Sequence, residues 1–343
     1  MMQIYSDIQP FETIVLYPEK FPNWFKLFSE HCEVFINISD VDYELEKLTN
    51  PVLEEFIKLN TGREPIPLKY HFDSVYADSA TVVSTPRSVY FLDISKSDAE
   101  KMQQDFGILI QCTEAIDDGV LRNTYYRNLT INKTCNANGK TGWQHLLDNQ
   151  LPPLNAIVIS DNFLFVNEDG IRGFKNILQL IQAVLPGTLN TDFNILLIAQ
   201  EHKNKDVAWC NKLTGDIKTA MNNLKKPYNI IFEIVFAETI HPRLFISNYF
   251  IIKLEKGFAV FNSDDLQTVH ETTDFEINRM FHRINKNEGL PEYLQAESRL
   301  VEIKSICSSV AQYISKRPKD KNYRIMGDCN ADKSLKNRLI NDV

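Results

Sequence analysis

Ser88-Val89-Tyr90-Phe91-Leu92-Asp93, followed by Ser97 to Phe106, Gly107 and Ile108 to Cys112, is the stretch whose pattern decides the fold. The first six residues form a short apolar run rich in β-branched and aromatic side chains, which reads as a strand. Ser97 to Phe106 reads as a helix opened by a serine cap, and Gly107 stops it. Ile108 to Cys112 supplies the next strand, so this segment predicts a strand-helix-strand unit of an α/β protein.

Upstream, the same alternation continues. Phe11 to Tyr17 reads as a strand, Asn23 to His31 as a short helix and Glu33 to Ile38 as another strand. Asn50-Pro51 has a capping residue followed by proline at the first helical position, and Leu53, Phe56, Ile57 and Leu59 follow as an apolar face. A parallel α/β layer is expected. Asn, Thr, Gly and Pro then crowd the chain from Asn128 to Pro153, which places a domain boundary near Gln150.

Downstream, Ala156 to Ile159 reads as a buried strand ending at Asp161, and Phe174, Ile177, Leu178, Ile181, Val184 and Leu185 recur at helical spacing up to Pro186-Gly187. Phe193 to Ala199, the helix Val207 to Leu224 and the strand Ile230 to Ala237 follow. Arg243 to Leu254 and Gly257 to Phe261 read as paired strands. Ile303, Ile306, Val310, Tyr313 and Ile314 mark the inward stripe of a helix ending near Lys316. The expected organisation is an α/β domain over residues 1–150, a second α/β domain over 151–290, and a C-terminal helix with a polar, solvated tail over 291–343. That tail holds eight basic and three acidic residues between Lys316 and Arg338.

At 343 residues, with 43% hydrophobic and 24% charged residues, the chain has material for two cores. A net charge of -8 argues against attraction of the whole surface to nucleic acid or anionic lipid, so such binding requires a local patch. The first residues lack the basic and apolar regions of a secretory signal, and no run of roughly 18 apolar residues spans a bilayer, which predicts a cytoplasmic protein. Six scattered cysteines form no Cys-x-x-Cys pair, and neither a metal nor a cofactor is expected.

Three motifs invite chemistry. Asn138-Gly139-Lys140-Thr141-Gly142 has the Gly-Lys-Thr of a phosphate loop, but Thr134 stands where the opening glycine belongs, so a surface turn is the plainer reading. Asp93, Asp117, Asp118 and Asp161 lie near strand ends, where carboxylates gather around a divalent cation or merely serve as turn and cap residues. The third motif is Thr239-Ile240-His241-Pro242-Arg243-Leu244-Phe245-Ile246-Ser247-Asn248. His241 and Arg243 share a face on a strand, and Asn248 needs a bulge or bend to join them.

From about residue 155 to 283 the chain resembles the phospholipase D-like C-terminal domain of microtubule-interacting-and-transport proteins. The likeness rests on Ile159-Ser160-Asp161-Asn162-Phe163, on His241-Pro242-Arg243 through Asn248-Tyr249-Phe250, on Lys253 to Phe258 with Phe261, and on His270 to Thr273. The resemblance implies a phospholipase D-like fold that has exchanged catalysis for binding anionic phosphate. Two departures matter: Pro242 replaces an acidic residue and Glu255 replaces a small one. An active site of this kind pairs two His motifs, of which this chain shows one copy; a symmetric dimer could supply the second.

The leading expectation is therefore a non-catalytic module that captures phosphate groups of a polyanion, whether nucleic acid or phospholipid head group, through His241, Arg243, Lys253 and Lys256. Its alternative is a dimeric, metal-independent phosphodiesterase or nuclease with His241 as nucleophile beside Arg243 and Asn248. A scaffold that retains the old site only structurally is the third. Against all of these stands the plain reading of a partly buried His241 and an Arg243 paired with Glu238.

Overall fold

The computed structural model describes residues 2–60, 63–122, 127–147, 151–165, 170–201, 205–238, 243–281, 292–317 and 321–343. The chain is α/β and divides into two units. The first comprises residues 1–124 and 281–294, and the second 125–280 and 295–343. The boundary expected near Gln150 thus falls inside the second unit, because residues 127–147 carry elements of its sheet and core.

The first unit holds the strands β1 (Met2–Ser6), β2 (Cys32–Ile36), β3 (Ile66–Pro67), β4 (Val89–Leu92) and β5 (Leu109–Cys112). They form one parallel sheet in the order β3-β2-β1-β4-β5. The connections run through α1 (Ile8–Leu16), α2 (Pro22–Lys26), α3 (Asp40–Thr49), α4 (Pro51–Leu59), α5 (Lys69–Ala77) and α6 (Lys96–Phe106), with α7 (Gly119–Arg122) after β5. The winding reverses between β1 and β4, which makes the carboxyl ends of those two strands a topological switch point. The predicted unit from residue 88 to 112 is present: Ser95 rather than Ser97 caps α6, accepting from the Asp98 N–H, and Gly107 ends it at φ 64°. Asn50 caps α4 as expected, accepting from the Val52 and Leu53 N–H groups.

Phe11 to Tyr17, expected as a strand, lies instead in α1 and its C-terminal cap. Phe11, Ile14 and Val15 are buried while Leu16 and Tyr17 are exposed, a spacing of three to four that belongs to a helix. The β-forming composition is overridden by topology, since parallel β1 and β2 need a crossover connection.

In the second unit, β6 (Arg127–Ile131), the hairpin β7 (Asn136–Ala137) and β8 (Lys140–Thr141), and α8 (Gly142–Leu146) precede β9 (Ala156–Ser160). Next come α9 (Ile171–Val184), β10 (Phe193–Gln200), α10 (Val207–Asn222), β11 (Ile230–Ala237), β12 (Leu244–Ser247), β13 (Phe250–Leu254) and β14 (Thr273–Arg279). The chain ends with α11 (Glu292–Ser315), β15 (Arg324–Gly327) and α12 (Arg338–Asn341). The sheet order is β15-β11-β10-β9-β12-β13-β14-β6, parallel across β11-β10-β9 and antiparallel elsewhere. Ile157 and Ile159 of β9 and Ile195 and Leu197 of β10 pack with Ile177, Leu180 and Ile181 of α9 and Leu213 and Ile217 of α10. Strands covered on both faces read as unbroken apolar runs, and for that reason they stand out in the sequence.

Two expectations in this unit change. Arg243 to Leu254 is not one strand but the hairpin β12–β13, because Ser247 Oγ accepts the Tyr249 and Phe250 N–H groups and turns the chain. Gly257 to Phe261 is no ladder strand. Its N–H groups go to side chains instead: Phe258 donates to Asp161 Oδ2 at 2.7 Å and Phe261 to Asn176 Oδ1 at 3.0 Å.

The tail beyond Lys316 is not merely solvated. β15 closes the sheet against β11, and buried Asn337 donates to the Ile157 carbonyl at 3.0 Å. Buried Glu233 accepts the Lys336 and Asn337 N–H groups at 2.7 and 3.0 Å. Fully buried carboxylates are tolerated only with such donors. The basic excess of the tail therefore sits largely on a segment anchored to the sheet.

Candidate functional site

The residues predicted to form the site are separated by the fold. His241 lies outside the described residues, as do Pro242 and Gln150. Arg243 stands immediately before β12 and Asn248 immediately after it, so the two are roughly 16 Å apart at about 3.3 Å per residue. Asn248 is fully buried and structural: its Oδ1 accepts the Asn155 and Ala156 N–H groups at 3.0 and 3.2 Å, tying the turn after β12 to the start of β9. Lys256 is exposed and pairs with Glu271 at 3.4 Å.

Arg243 and Lys253 do share a site. They line one hollow of about 510 Å³ on the second unit with Arg299 of α11. Glu255, Asp274 and Glu276 line it too, so three cations face three carboxylates. Most of these charges are engaged. Lys253 reaches Gln295 at 3.3 Å and Glu276 at 3.8 Å, Arg299 pairs with Glu302 at 2.7 Å, and Asp274 accepts from the Thr130 hydroxyl at 2.6 Å. Arg299 and Gln295 were not singled out from sequence, although their spacing of four on a helix places them on one face.

Arg243 differs from its neighbours. Its guanidinium stacks on Phe163, 4.6 Å from the ring centroid, and its buried Nε has no hydrogen-bond partner among the described residues. The partner expected for it, Glu238, is taken by Lys321. Asp161 feels the Arg243 charge through space. The Asp161 carboxylate is spent on the Phe163 and Phe258 N–H groups at 2.9 and 2.7 Å. Burial pushes the Asp161 carboxyl above the usual range, opposed by those two N–H donors and by the Arg243 charge. Gly257, at φ 91°, lets the following loop approach this closely: a Cβ there would lie 2.6 Å from Asp161 Oδ2.

A second unengaged donor lies on the neighbouring strand. Ser160, 1% exposed, has a buried Oγ with no partner among the described residues. It is the register partner of Leu244, which lines the hollow, so both side chains leave the same face of the sheet. Buried donors without acceptors are uncommon and costly, and two at one strand end need a reason.

The other motifs dissolve into structure. Asp118 accepts from the Asn23 and Trp24 N–H groups and from Asn23 Nδ2, Asp117 Oδ1 accepts the Gly119 N–H, and Asp161 belongs to the other unit. No group of three or more His, Cys, Asp or Glu side chains is placed to hold a metal ion among the described residues. Asn138-Gly139 is the tip of the β7–β8 hairpin, with both residues at positive φ. Among the described residues no helix is long and apolar enough to cross a membrane. No family model matches the chain, and no curated protein matches it.

Proposed function

We propose that the second unit is a phosphate-binding module, phospholipase D-like in ancestry, whose anchor is Arg243. The single observation that carries the reading is Arg243: it lines a hollow, its guanidinium stacks on Phe163, and its buried Nε has no hydrogen-bond partner among the described residues. Arginine offers a planar fork of donors matched to a phosphate, and the Ser160 hydroxyl, without a partner among the described residues, stands on the neighbouring strand. Charge distribution supports the same unit: residues 1–124 hold 21 acidic and 10 basic residues, while 125–343 hold 24 acidic and 27 basic, giving -11 and +3.

The lining carboxylates favour one phosphate group of a nucleic acid or lipid head group over a continuous phosphate backbone. A track for a polymer would require a run of unopposed cations. Binding is favoured over hydrolysis because Asn248, the polar residue assigned to the reaction, is committed to Asn155 and Ala156 at the far end of β12.

Calorimetric titration of the intact chain with inorganic phosphate, a short single-stranded DNA and phosphoinositide vesicles tests this. Arg243→Ala is expected to weaken phosphate binding at least tenfold, with Arg243→Lys intermediate, and log affinity should fall with log salt at a slope of roughly -1, as for a single phosphate contact. Unchanged binding by Arg243→Ala would overturn the proposal. Chelator-resistant cleavage abolished by His241→Ala would establish the phosphodiesterase instead.

A further inference from the structure

Helix α3 of the first unit carries an anomaly unrelated to the Arg243 hollow. Val41, Leu45 and Leu48 are 81%, 61% and 85% exposed. They recur at i, i+4 and i+7, so they form one apolar stripe two turns long, about 10 Å at ~1.5 Å per residue. Tyr43, on the opposite side of the helix, is buried and accounts for its attachment to the unit. Isolated exposed apolar residues are ordinary, but three in register on one helix face form a contiguous patch of the kind that marks contact sites.

The surroundings of the stripe say what fits it. The helix bears Asp40, Asp42, Glu44 and Glu46 against a single cation, Lys47, which is already held by Glu44 at 3.0 Å and Glu64 at 3.2 Å. At 100° per residue, Glu44 borders the stripe on one side and Asp42 on the other. The unit around them is itself strongly acidic, with 21 acidic and 10 basic residues in 1–124. An apolar seam between carboxylates is complementary to an amphipathic helix with apolar residues at i, i+3/i+4 and i+7 and with Lys or Arg beside them.

We infer that α3 is a docking face for a basic amphipathic helix of a partner protein. The probe is an 18-residue synthetic peptide with leucines at helical spacing flanked by lysines, compared by fluorescence anisotropy with the same peptide carrying glutamates in place of the lysines. The intact chain is expected to bind the lysine peptide and not the glutamate peptide. Leu45→Ser with Leu48→Ser should weaken binding at least tenfold while circular dichroism and Tm stay as in the parent, since both side chains face solvent. Asp40→Lys with Glu44→Lys should move the preference toward the glutamate peptide, a reversal that general acidity of the protein would not produce. The inference fails if the lysine peptide does not bind or if the leucine variant binds it as well as the parent. It fails equally if sedimentation shows that the stripe holds two copies of this chain together.

Discussion

Each unit contains a strand that ends in Ser and is followed by Asp, and the two pairs have met different fates. Ser6 ends β1 and Asp7 follows it at the switch point of the parallel sheet, and Ser160 ends β9 and Asp161 follows it in the mixed sheet; both aspartates are buried, at 6% and 1% exposure. Asp7 is closed by its neighbours: Asn37 Nδ2 donates to Oδ1 at 2.6 Å, and the Asp93 N–H at 2.6 Å and the Tyr76 hydroxyl donate to Oδ2. Asp161 is served by two main-chain N–H groups and by the charge of Arg243, whose Nε has no hydrogen-bond partner among the described residues. Ser6 Oγ donates to the Asp7 carbonyl at 2.8 Å, whereas Ser160 Oγ has no partner among the described residues. One strand end is thus a finished knot of loops. The other holds two buried donor atoms, Ser160 Oγ and Arg243 Nε, without a partner among the described residues.

The largest expected effect separates the two aspartates. Asp161→Ala leaves the buried Phe258 N–H and the part-buried Phe163 N–H without an acceptor, for a loss of about 3 kcal/mol in urea unfolding. Asp7→Ala should cost less, about 2 kcal/mol, because the Asn37 and Tyr76 side chains can turn toward water while only the Asp93 N–H is fixed. If Asp7→Ala proves the more damaging, the contrast between a side-chain knot and a main-chain tie is wrong.

Acidification sharpens the comparison, because the buried titratable groups of the two units respond with opposite sign. In the first unit burial lowers the His71 pKa, so the unfolded chain binds the proton first as pH falls through about 6.5, and stability is lost. In the second, burial raises the Asp161 and Glu233 carboxyls against their N–H donors, so the folded state binds protons first and stability rises as pH falls toward the ordinary carboxylate range. Carboxylates held low, such as Asp265 and Asp332, contribute the opposite trend only below about 4. Between pH 7 and 5, hydrogen exchange corrected for its intrinsic pH dependence should show protection falling in β1 and β4 and holding or rising in β9 and β10. The same sign in both units would dismiss this account.

The smallest effect lies in the serines. Ser6→Ala should cost about 1 kcal/mol, the net worth of its hydrogen bond, and Ser160→Ala should be neutral within a few tenths or slightly stabilising. A cost at Ser160 equal to that at Ser6 would mean that its hydroxyl is satisfied after all.

The elements legible in the sequence were those with a strong local pattern. β10 and β11 are continuous apolar runs, α9 repeats at helical spacing up to Pro186, and Asn50-Pro51 announces α4 through its cap. Less legible were segments whose state depends on distant partners. The stretch from Phe11 to Tyr17 has strand composition but becomes helical because β1 and β2 are parallel. Gly257 to Phe261 has the same composition but gives its N–H groups to Asp161 and Asn176, residues about 85 to 97 positions away. The polar tail looked solvated until Glu233 was seen to hold it.

Of the candidate site, sequence alone identified Arg243 and Lys253 as basic residues of neighbouring segments, although the register sets Lys253 opposite Leu244 and not opposite Arg243. It could not dispose of Asn248, because one hydroxyl, Ser247 Oγ, turns the chain and carries Asn248 to the opposite end of the hairpin. Nor could it reveal that Glu238 goes to Lys321 and so leaves Arg243 without its expected counter-ion. Local pattern determined the strands and helices with strong burial periodicity, such as β10, β11 and α9, because that periodicity is written residue by residue. Which polar groups are satisfied and which remain spare was decided only in three dimensions, because a hydrogen bond depends on the few ångströms between groups that the chain keeps far apart.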